Sequence, residues 1–579
     1  MKVSAVAPAQ WQCAWIRDGT IMEHGWHWFS SADMPKPGAS MPRMTASGAA
    51  ASALHRRRYL AHYGAIVLLL LWGCAVLPPN TERAPSYAVG DTDATLLGQA
   101  VAVRTAANPG KDGIFPLASS RDAFAVRMVL VAAAQRSLDL QYYIWKPDIA
   151  GQLMFEQVWK AAERGVRVRL LLDDQVTRGL DSTLAALDAH PNIEVRLFNP
   201  YPTRGLRVVD MALDFARINR RMHNKSFNAD NQVAIVGGRN IANEYYGADP
   251  RVDFGDLDVA LVGPVVRQVS TAFDLYWNSE SAYPASRIVG AASAGDTVRM
   301  REGWDKVRQD PDAQRYIAEV QNTTLLQQLL DRSLPFEWTS AHIIYDDPKK
   351  VLQPANRVET HLLERMQAAM GQPVRELDLV SPYFVPGAEG TQALIALRAR
   401  GVQVRVLTNA LAATDAGPVH AGYRKYRVAL LKGGVMLYEL KPGIDASVRS
   451  NDQDGGKQPG FGGSSGGSSG VSLHAKTFSV DRQRIFVGSF NLDPRSARLN
   501  TEMGAVIESP TLARRLSEAL DSRNAINAYR VQLAADGETL EWIESTGAGN
   551  RVFTQEPETR WLRRMWIGFL SLLPIESLL

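Results

Sequence analysis

The 579-residue chain has two cysteines, Cys13 and Cys74. That excludes a disulfide framework, and neither stands at the spacing from His or Asp that a zinc site needs. It lacks a dominant charge sign as well: 64 Lys and Arg against 60 Asp and Glu leave a net +4. So small a balance gives no electrostatic case for a nucleic-acid partner, which would need a local basic groove instead. Its apolar run at residues 65–73 is too short for a membrane span of about 20 residues. What remains is ordinary globular composition, 46% hydrophobic and 21% charged. The chain is too long for one core and suits two domains with appendages.

The basic triplet Arg56-Arg57-Arg58, the apolar run and the close Trp72-Gly73-Cys74 resemble a bacterial lipoprotein signal. Cleavage before Cys74 would leave a lipidated amino terminus on a membrane, facing the periplasm. An uncleaved anchor and a buried helix are the alternatives, and Trp72 is bulkier than the pattern usually carries. Residues 1–43, with Trp11, Trp15, Trp26 and Trp28, show no periodicity and precede this signal. Translation is therefore expected to begin at Met41 or Met44.

Two stretches repeat one layout, His-x-Lys-x4-Asp: His223, Lys225 and Asp230, then His474, Lys476 and Asp481. In both, an asparagine follows the histidine at the same offset in a glycine-marked turn, Gly237-Gly238-Arg239-Asn240 and Gly488-Ser489-Phe490-Asn491. One such match is weak; two with a shared asparagine are strong. The pattern resembles the phospholipase D superfamily, whose members bring two such motifs to a single phosphodiester-processing site.

The duplication extends upstream. Leu138-Asp139-Leu140 parallels Leu377-Asp378-Leu379, Gly165-Val166-Arg167-Val168 parallels Gly401-Val402-Gln403-Val404, and Ile193–Phe198 parallels Val435–Tyr438. Strand, helix, strand, helix, strand predicts an α/β fold of two similar domains, each a mostly parallel sheet flanked by helices, packed face to face as a pseudo-two-fold pair. The expected divisions are a leader at 1–85, a first domain at 90–335, a second at 336–545, and a membrane-associating segment at 546–579. Residues 300–335 read as a packing helix that joins the halves. The glycine–serine stretch 455–470 reads as a solvated insertion or a flap.

A phosphodiester repels nucleophiles, so its cleavage needs cationic donors, an in-line nucleophile and an acid for the leaving alkoxide. Lys225, Lys476, Asn240 and Asn491 suit the phosphoryl oxygens. The resemblance implies His223 as nucleophile, His474 as acid and base, and a phosphohistidine between two half-reactions. It also implies carboxylates that orient the imidazoles across the interface, Glu502 on His223 and Asp258 on His474, with assistance from Ser489 and Arg495. Asp230 and Asp481 end their strands and read as turn-stabilising members of the motif. No metal cluster or cofactor motif appears, and the lysines make a divalent ion unnecessary for neutralising charge.

The signal, the aromatic–basic tail around Trp561–Phe569, and Leu573-Pro574-Ile575-Glu576, similar to the terminus of bacterial cardiolipin synthases, favour phospholipid substrates at a membrane surface. Phosphatidyl transfer to phosphatidylglycerol is the expectation. A water-accepting phospholipase D, an envelope-attached nuclease and a membrane module with a dead site are the rivals. No nucleic acid is expected, and no accessory protein is named by the sequence.

Overall fold

The computed structural model describes residues 77–579 apart from 82, 250, 331–332, 355–360, 444–469, 523–526 and 547–548. The signal with Cys74, the start at Met41 or Met44, and the glycine–serine stretch up to residue 469 lie outside the described residues.

The strands of the first half are β1 (Asp112–Leu117), β2 (Ser137–Tyr142), β3 (Arg167–Asp173), β4 (Ile193–Phe198), β5 (Ser226–Ala229), β6 (Val233–Gly237), β7 (Val252–Gly255), β8 (Asp258–Val262), β9 (Ala282–Pro284) and β10 (Glu337–Thr339). All but β7 form a nine-stranded sheet, β10-β1-β8-β6-β5-β2-β3-β4-β9. The second half continues with β11 (Ala341–Tyr345), β12 (Glu376–Val380), β13 (Gln403–Asn409), β14 (Met436–Leu440), β15 (Gly470–Leu473), β16 (Lys476–Val480), β17 (Arg484–Gly488), β18 (Met503–Ile507), β19 (Ala528–Leu533), β20 (Leu540–Thr546) and β21 (Gly549–Phe553). Its sheet runs β11-β18-β17-β16-β12-β13-β14-β19-β20-β21. The chain passes between sheets at Ser340, so β10 belongs to the first and β11 to the second.

The duplicated α/β architecture is present, with one correction. The sheets are mixed rather than mostly parallel. Within the two large sheets, parallel pairs are confined to β2–β3–β4 and β12–β13–β14, because the helical crossovers supply only three strands per half and antiparallel pairings supply the rest; β7 and β15 form a separate parallel pair. In the first half α1 (Ser120–Ala133) leads into β2, α2 (Ile149–Glu163) crosses from β2 to β3, and the helix Asp181–Asp188 crosses from β3 to β4; α3 (Asn243–Tyr246), α4 (Val265–Trp277), α5 (Ala294–Gln309) and α6 (Pro311–Gln321) follow. The second half has α7 (Leu362–Met370), α8 (Gly387–Ala399), α9 (Gly417–Arg424), α10 (Pro494–Arg498), α11 (Pro510–Ser522) and α12 (Trp561–Ser571).

The repeat shows in small devices. Helices α2 and α8 each end at a left-handed glycine, Gly165 at φ 92° and Gly401 at φ 87°. The next residue's N–H then reaches back into the last turn, Val166 to Ala161 and Val402 to Leu397, and aims the chain into β3 or β13. Behind each sheet a buried arginine forks onto an aspartate of the neighbouring strand, Arg169 on Asp139 and Arg405 on Asp378, each with bonds of 2.7–2.9 Å. Such planar two-point pairing fixes the strand register.

The motif aspartates sit in tight hairpin turns. Asp230 and Asn231 have φ near 50°, as do Asp481 and Arg482, the geometry of a two-residue turn that matches sheet twist. Each carboxylate then accepts three consecutive backbone N–H groups: Gln135, Arg136 and Ser137 on Asp230, Val374, Arg375 and Glu376 on Asp481. These bonds pin the hairpins β5–β6 and β16–β17 to the starts of β2 and β12.

The two sheets meet through β6 and β8 against β17 and β18. Val236, Val259 and Leu261 pack there against Ile485, Val487 and Ala505 in one buried cluster. Outside this seam, α5 and α6 cover α1 and α2, burying Trp304, Tyr316 and Val320. Among the described residues no helix is long and apolar enough to cross a membrane.

Asp230→Ala is expected to strand three backbone donors and lower stability by about 1–3 kcal/mol, measured by urea unfolding. Turnover per folded molecule should be unchanged; a further loss would make Asp230 a catalytic group.

Candidate active site

Each motif histidine is gripped by the opposite half. Leu473, at the end of β15, pairs with Gly255 in β7, and the His474 N–H donates to Gly255 O at 2.9 Å. On the other side Met222 bridges to Thr501, and the His223 N–H donates to Thr501 O at 2.8 Å. The carboxylate after each gripping residue takes the ring: Asp256 Oδ2 lies 2.6 Å from His474 Nδ1, and Glu502 Oε2 lies 2.8 Å from His223 Nδ1. With Nδ1–H donated to a carboxylate, each Nε2 presents its lone pair.

Asp256 therefore replaces Asp258 as the partner of His474. The hairpin register gives the reason. Gly237 faces Asp258 across β6–β8, while its counterpart Gly488 faces Gly504 across β17–β18, so Asp256 is the residue equivalent to Glu502. Asp258 instead accepts Arg127 at 2.8 Å, lies 3.5 Å from the Arg239 guanidinium, and is fully buried. The turn residues vary in step: a Cβ on Gly238 would come within 2.2 Å of Asp256 Oδ1, whereas Ser489 at the same place donates to Glu502 Oε2 at 2.5 Å.

The lysines line the same seam. Lys225 Nζ donates to His223 O at 2.6 Å and stands 5.3 Å from the Tyr143 ring centre. Lys476 Nζ donates to His474 O and lies 2.8 Å from the imidazole Nδ1. Asn240 accepts Ile144 N–H at 3.0 Å and donates to the Tyr245 hydroxyl at 2.8 Å; that hydroxyl lies 3.4 Å from His474 Nε2. Asn491 is 4% exposed, and its Oδ1 has no hydrogen-bond partner among the described residues. Arg495 uses its guanidinium on Asn219 and Leu578 O, so it ties the first half and the carboxyl terminus to α10 instead of reaching the imidazoles.

Tyr245, Tyr143 and Phe254 have no signal in the motif. Yet Tyr143 and Tyr245 meet the two imidazoles edge-on at 4.9 and 5.0 Å, and Phe254 stacks on His474 at 5.2 Å. Asp346, at the strand end beyond β11, accepts the Glu502 N–H at 2.8 Å and the Lys350 ammonium at 3.1 Å. It steadies the backbone that carries Glu502.

Burial dominates the electrostatics. It lowers His223 well below the ordinary imidazole range, helped by Lys225 and Lys476. His474 falls to about 4 through burial and Lys476, against the pull of Asp256. Burial also brings Lys476 down to about 8 and Lys225 well below its usual value. The carboxylates diverge. Glu502 is raised to about 7 by burial, which Lys225 and Ser489 only partly oppose. Asp256 is lowered despite burial, by His474 and Lys476. The result is two oriented imidazoles, one beside a firmly ionised carboxylate and the other beside a carboxyl that titrates near neutrality. Among the described residues no group of three or more His, Cys, Asp or Glu side chains could hold a metal ion.

Comparison with known proteins gives the family of the chain. The profile described as "Cardiolipin synthase, PLD-like domain" matches residues 129–258 and 362–523, one stretch in each half. The chain is 42% identical to cardiolipin synthase C of Escherichia coli (strain K12) over 485 residues, 83% of this chain and 99% of that relative.

The chain belongs to the phospholipase D-like cardiolipin synthase family.

An uncharacterized protein of Helicobacter pylori (strain ATCC 700392 / 26695) is 32% identical over 77% of this chain and 86% of its own. Among solved structures, phosphatidylserine synthase of Haemophilus influenzae Rd KW20 superposes with a TM-score of 0.49 at 14% identity, over 85% of this chain and 100% of that one. The family profile stops at Asp258 in the first half, close to the Asp256 that meets His474.

Two outcomes test these assignments. Asp256→Asn should keep the fold and lower turnover by about four orders of magnitude, since the amide N–H can donate to Nδ1 and fix the wrong tautomer. Asp258→Asn should instead lower stability by about 3–5 kcal/mol, because it weakens the pairing of buried Arg127 and Arg239. Thermal unfolding and single-turnover rates of the two variants separate these effects. The second test is pH dependence. The folded value of Glu502, about 7 against an ordinary 4.5, means that the protonated form favours the fold. Its contribution is complete below about pH 4.5 and disappears as pH rises through 7. Glu502→Gln should flatten that part of the stability–pH curve.

Proposed function

We propose that the protein is a phosphatidyltransferase that makes cardiolipin, passing a phosphatidyl group through a phosphohistidine on His223 to a hydroxyl of phosphatidylglycerol. The observation that carries this reading is the pair of crossed imidazole–carboxylate contacts, His223 with Glu502 and His474 with Asp256, in one lysine-lined seam.

His223 Nε2 attacks phosphorus, and the bond to the departing alkoxide breaks as protonated His474 gives it a proton. Neutral His474 then takes the proton of the acceptor hydroxyl, whose oxygen attacks phosphorus and releases His223. An ionised partner stabilises an imidazolium better than a half-protonated one, which favours His474, beside Asp256, as the acid. Lys225, Lys476 and the amide N–H groups of Asn491 suit the equatorial oxygens. Both histidines are under 10% exposed, a surrounding that favours an alcohol delivered by a lipid over bulk water.

A membrane surface position is supported by α12. Ile567 and Leu570 pack toward α9, while Trp561, Leu562, Met565, Trp566 and Phe569 are each more than half exposed. Such a face beside Arg560, Arg563 and Arg564 suits the headgroup boundary. Lipidation of Cys74 and a periplasmic orientation rest on the sequence pattern of the signal.

The deciding experiment incubates the full chain with vesicles of labelled phosphatidylglycerol, with and without phosphatidylethanolamine, and separates the lipid products. Cardiolipin is expected; phosphatidic acid alone would make the protein a hydrolase, and cleavage of single-stranded DNA would revive the nuclease. His223→Asn should abolish covalent phosphoryl labelling and lower turnover by about 10⁴-fold or more. His474→Asn should let labelled protein accumulate; the opposite pattern would exchange the two roles.

A further inference from the structure

The second half contains a cavity of about 1000 Å³ between α7, α8 and the sheet. Its walls are apolar, built from Leu363, Met366, Leu394, Leu397, Phe478 and Phe490. It lies at the upper end of the 300–1,000 Å³ typical of ligand sites. It opens to solvent along α8, where the lining residues Ala393 and Ala396 are exposed, so apolar surface there stays in contact with water until something covers it.

The pseudo-symmetric place in the first half is filled. There Phe124 of α1 packs against Tyr246 at 5.1 Å and against Tyr316 of α6 at 5.5 Å. Phe227, the counterpart of Phe478, is fully buried in that core. Among the described residues nothing covers the second half as α5 and α6 cover the first. The vacancy is therefore particular to one half of a duplicated fold.

Two neighbours of the cavity indicate what fills it. One is the loop after β17: Phe490, Leu492 and Asp493 line the cavity, and Asn491, between Phe490 and Leu492, is the asparagine of the second motif. The cavity wall and the motif thus share one short loop. The other is the carboxyl-terminal segment. From the exposed apolar face of α12 the chain runs to the rim, where Glu576 and Ser577 line the cavity and Leu579 O accepts the Arg495 N–H at 2.6 Å. The surface suited to a bilayer leads to the mouth.

We propose that this cavity seats an acyl chain of the phospholipid whose phosphodiester lies between His223 and His474. The inference rests on the phospholipid reading above and adds where the lipid tail goes. It assigns to α7 and α8 selection for chain length, a task the duplicated motif does not perform.

The test uses the full chain with Ala393→Trp and, separately, Ala396→Trp, each placing an indole in the chamber from α8. Headgroup release from long-chain phosphatidylglycerol vesicles is compared with release from soluble dihexanoyl phosphatidylglycerol. A fall of at least tenfold in the long-chain to short-chain ratio is expected, and an unchanged ratio overturns the proposal. Independently of turnover, phosphatidylglycerol with a mid-chain diazirine should photolabel segments 362–370 and 387–399 of the unaltered protein. Labelling confined to 561–579 overturns the proposal even where the tryptophan variants fail to fold. Labelling in the chamber without cardiolipin formation would remove the transferase reading and leave the chamber assignment in place.

Discussion

The site depends on a backbone exchange between the halves. Gly255 O holds His474 N, Thr501 O holds His223 N, and the very next residue in each case orients the ring. Neither half owns a complete imidazole–carboxylate pair. Were the sheets to separate, Asp256 and Glu502 would lose the imidazoles they orient, and Lys225 and Lys476 the carboxylates that offset their charge. The apolar seam of Val236, Val259, Ile485 and Val487 therefore does more than join two domains. It holds catalytic geometry that no single domain could build.

Duplication has not kept the two copies equal. The turn residue and the acid change together: Gly238 leaves room for the short Asp256, and Ser489 reaches the longer Glu502. The second copy adds Asp346 and Lys350 under Glu502. These differences place an ionised carboxylate behind one imidazole and a proton-sharing carboxyl behind the other. Two chemically identical histidines thereby face carboxyl partners in different ionisation states, and the proposed division between nucleophile and acid would draw on that asymmetry.

Much of this could be read in the chain. The paired His-x-Lys-x4-Asp motifs, the shared asparagines and the strand–helix–strand repeats locate the halves, because each device follows from local rules that act within a few residues. The choice between Asp256 and Asp258 could not be read. Both carboxylates lie on the same face of an extended segment, since side-chain direction repeats every two residues, and only the register of β6 on β8 decides between them. Tyr245 comes from the one-turn helix α3 and Phe254 from β7, and their approach to His474 is set by packing across the seam, which leaves no trace in spacing. The hairpin strands defeat the parallel expectation for a related reason: short strands flanking a βαβ core look alike whichever way they run. The chamber under α8 is invisible in sequence because α5 and α6 cover the first half and have no counterpart among the described residues of the second.

Burial disfavours the protonated form of both imidazoles, and the proposed mechanism exploits this. His474 sits at about 4, too low to be an acid at neutral pH. A single negative charge about 4 Å from the ring, at an effective dielectric near 20, is worth about 4 kcal/mol, which corresponds to about three pH units. The arrival of one phosphodiester anion is therefore enough to carry His474 into the neutral range, whereas an uncharged ligand leaves it unprotonated. Lys225 and Lys476, themselves depressed by burial, gain from the same anion. Protonation of the acid is thus coupled to binding of the charge it will help to cleave. The same burial that makes the resting site electrostatically costly lets it distinguish a phosphodiester from other ligands.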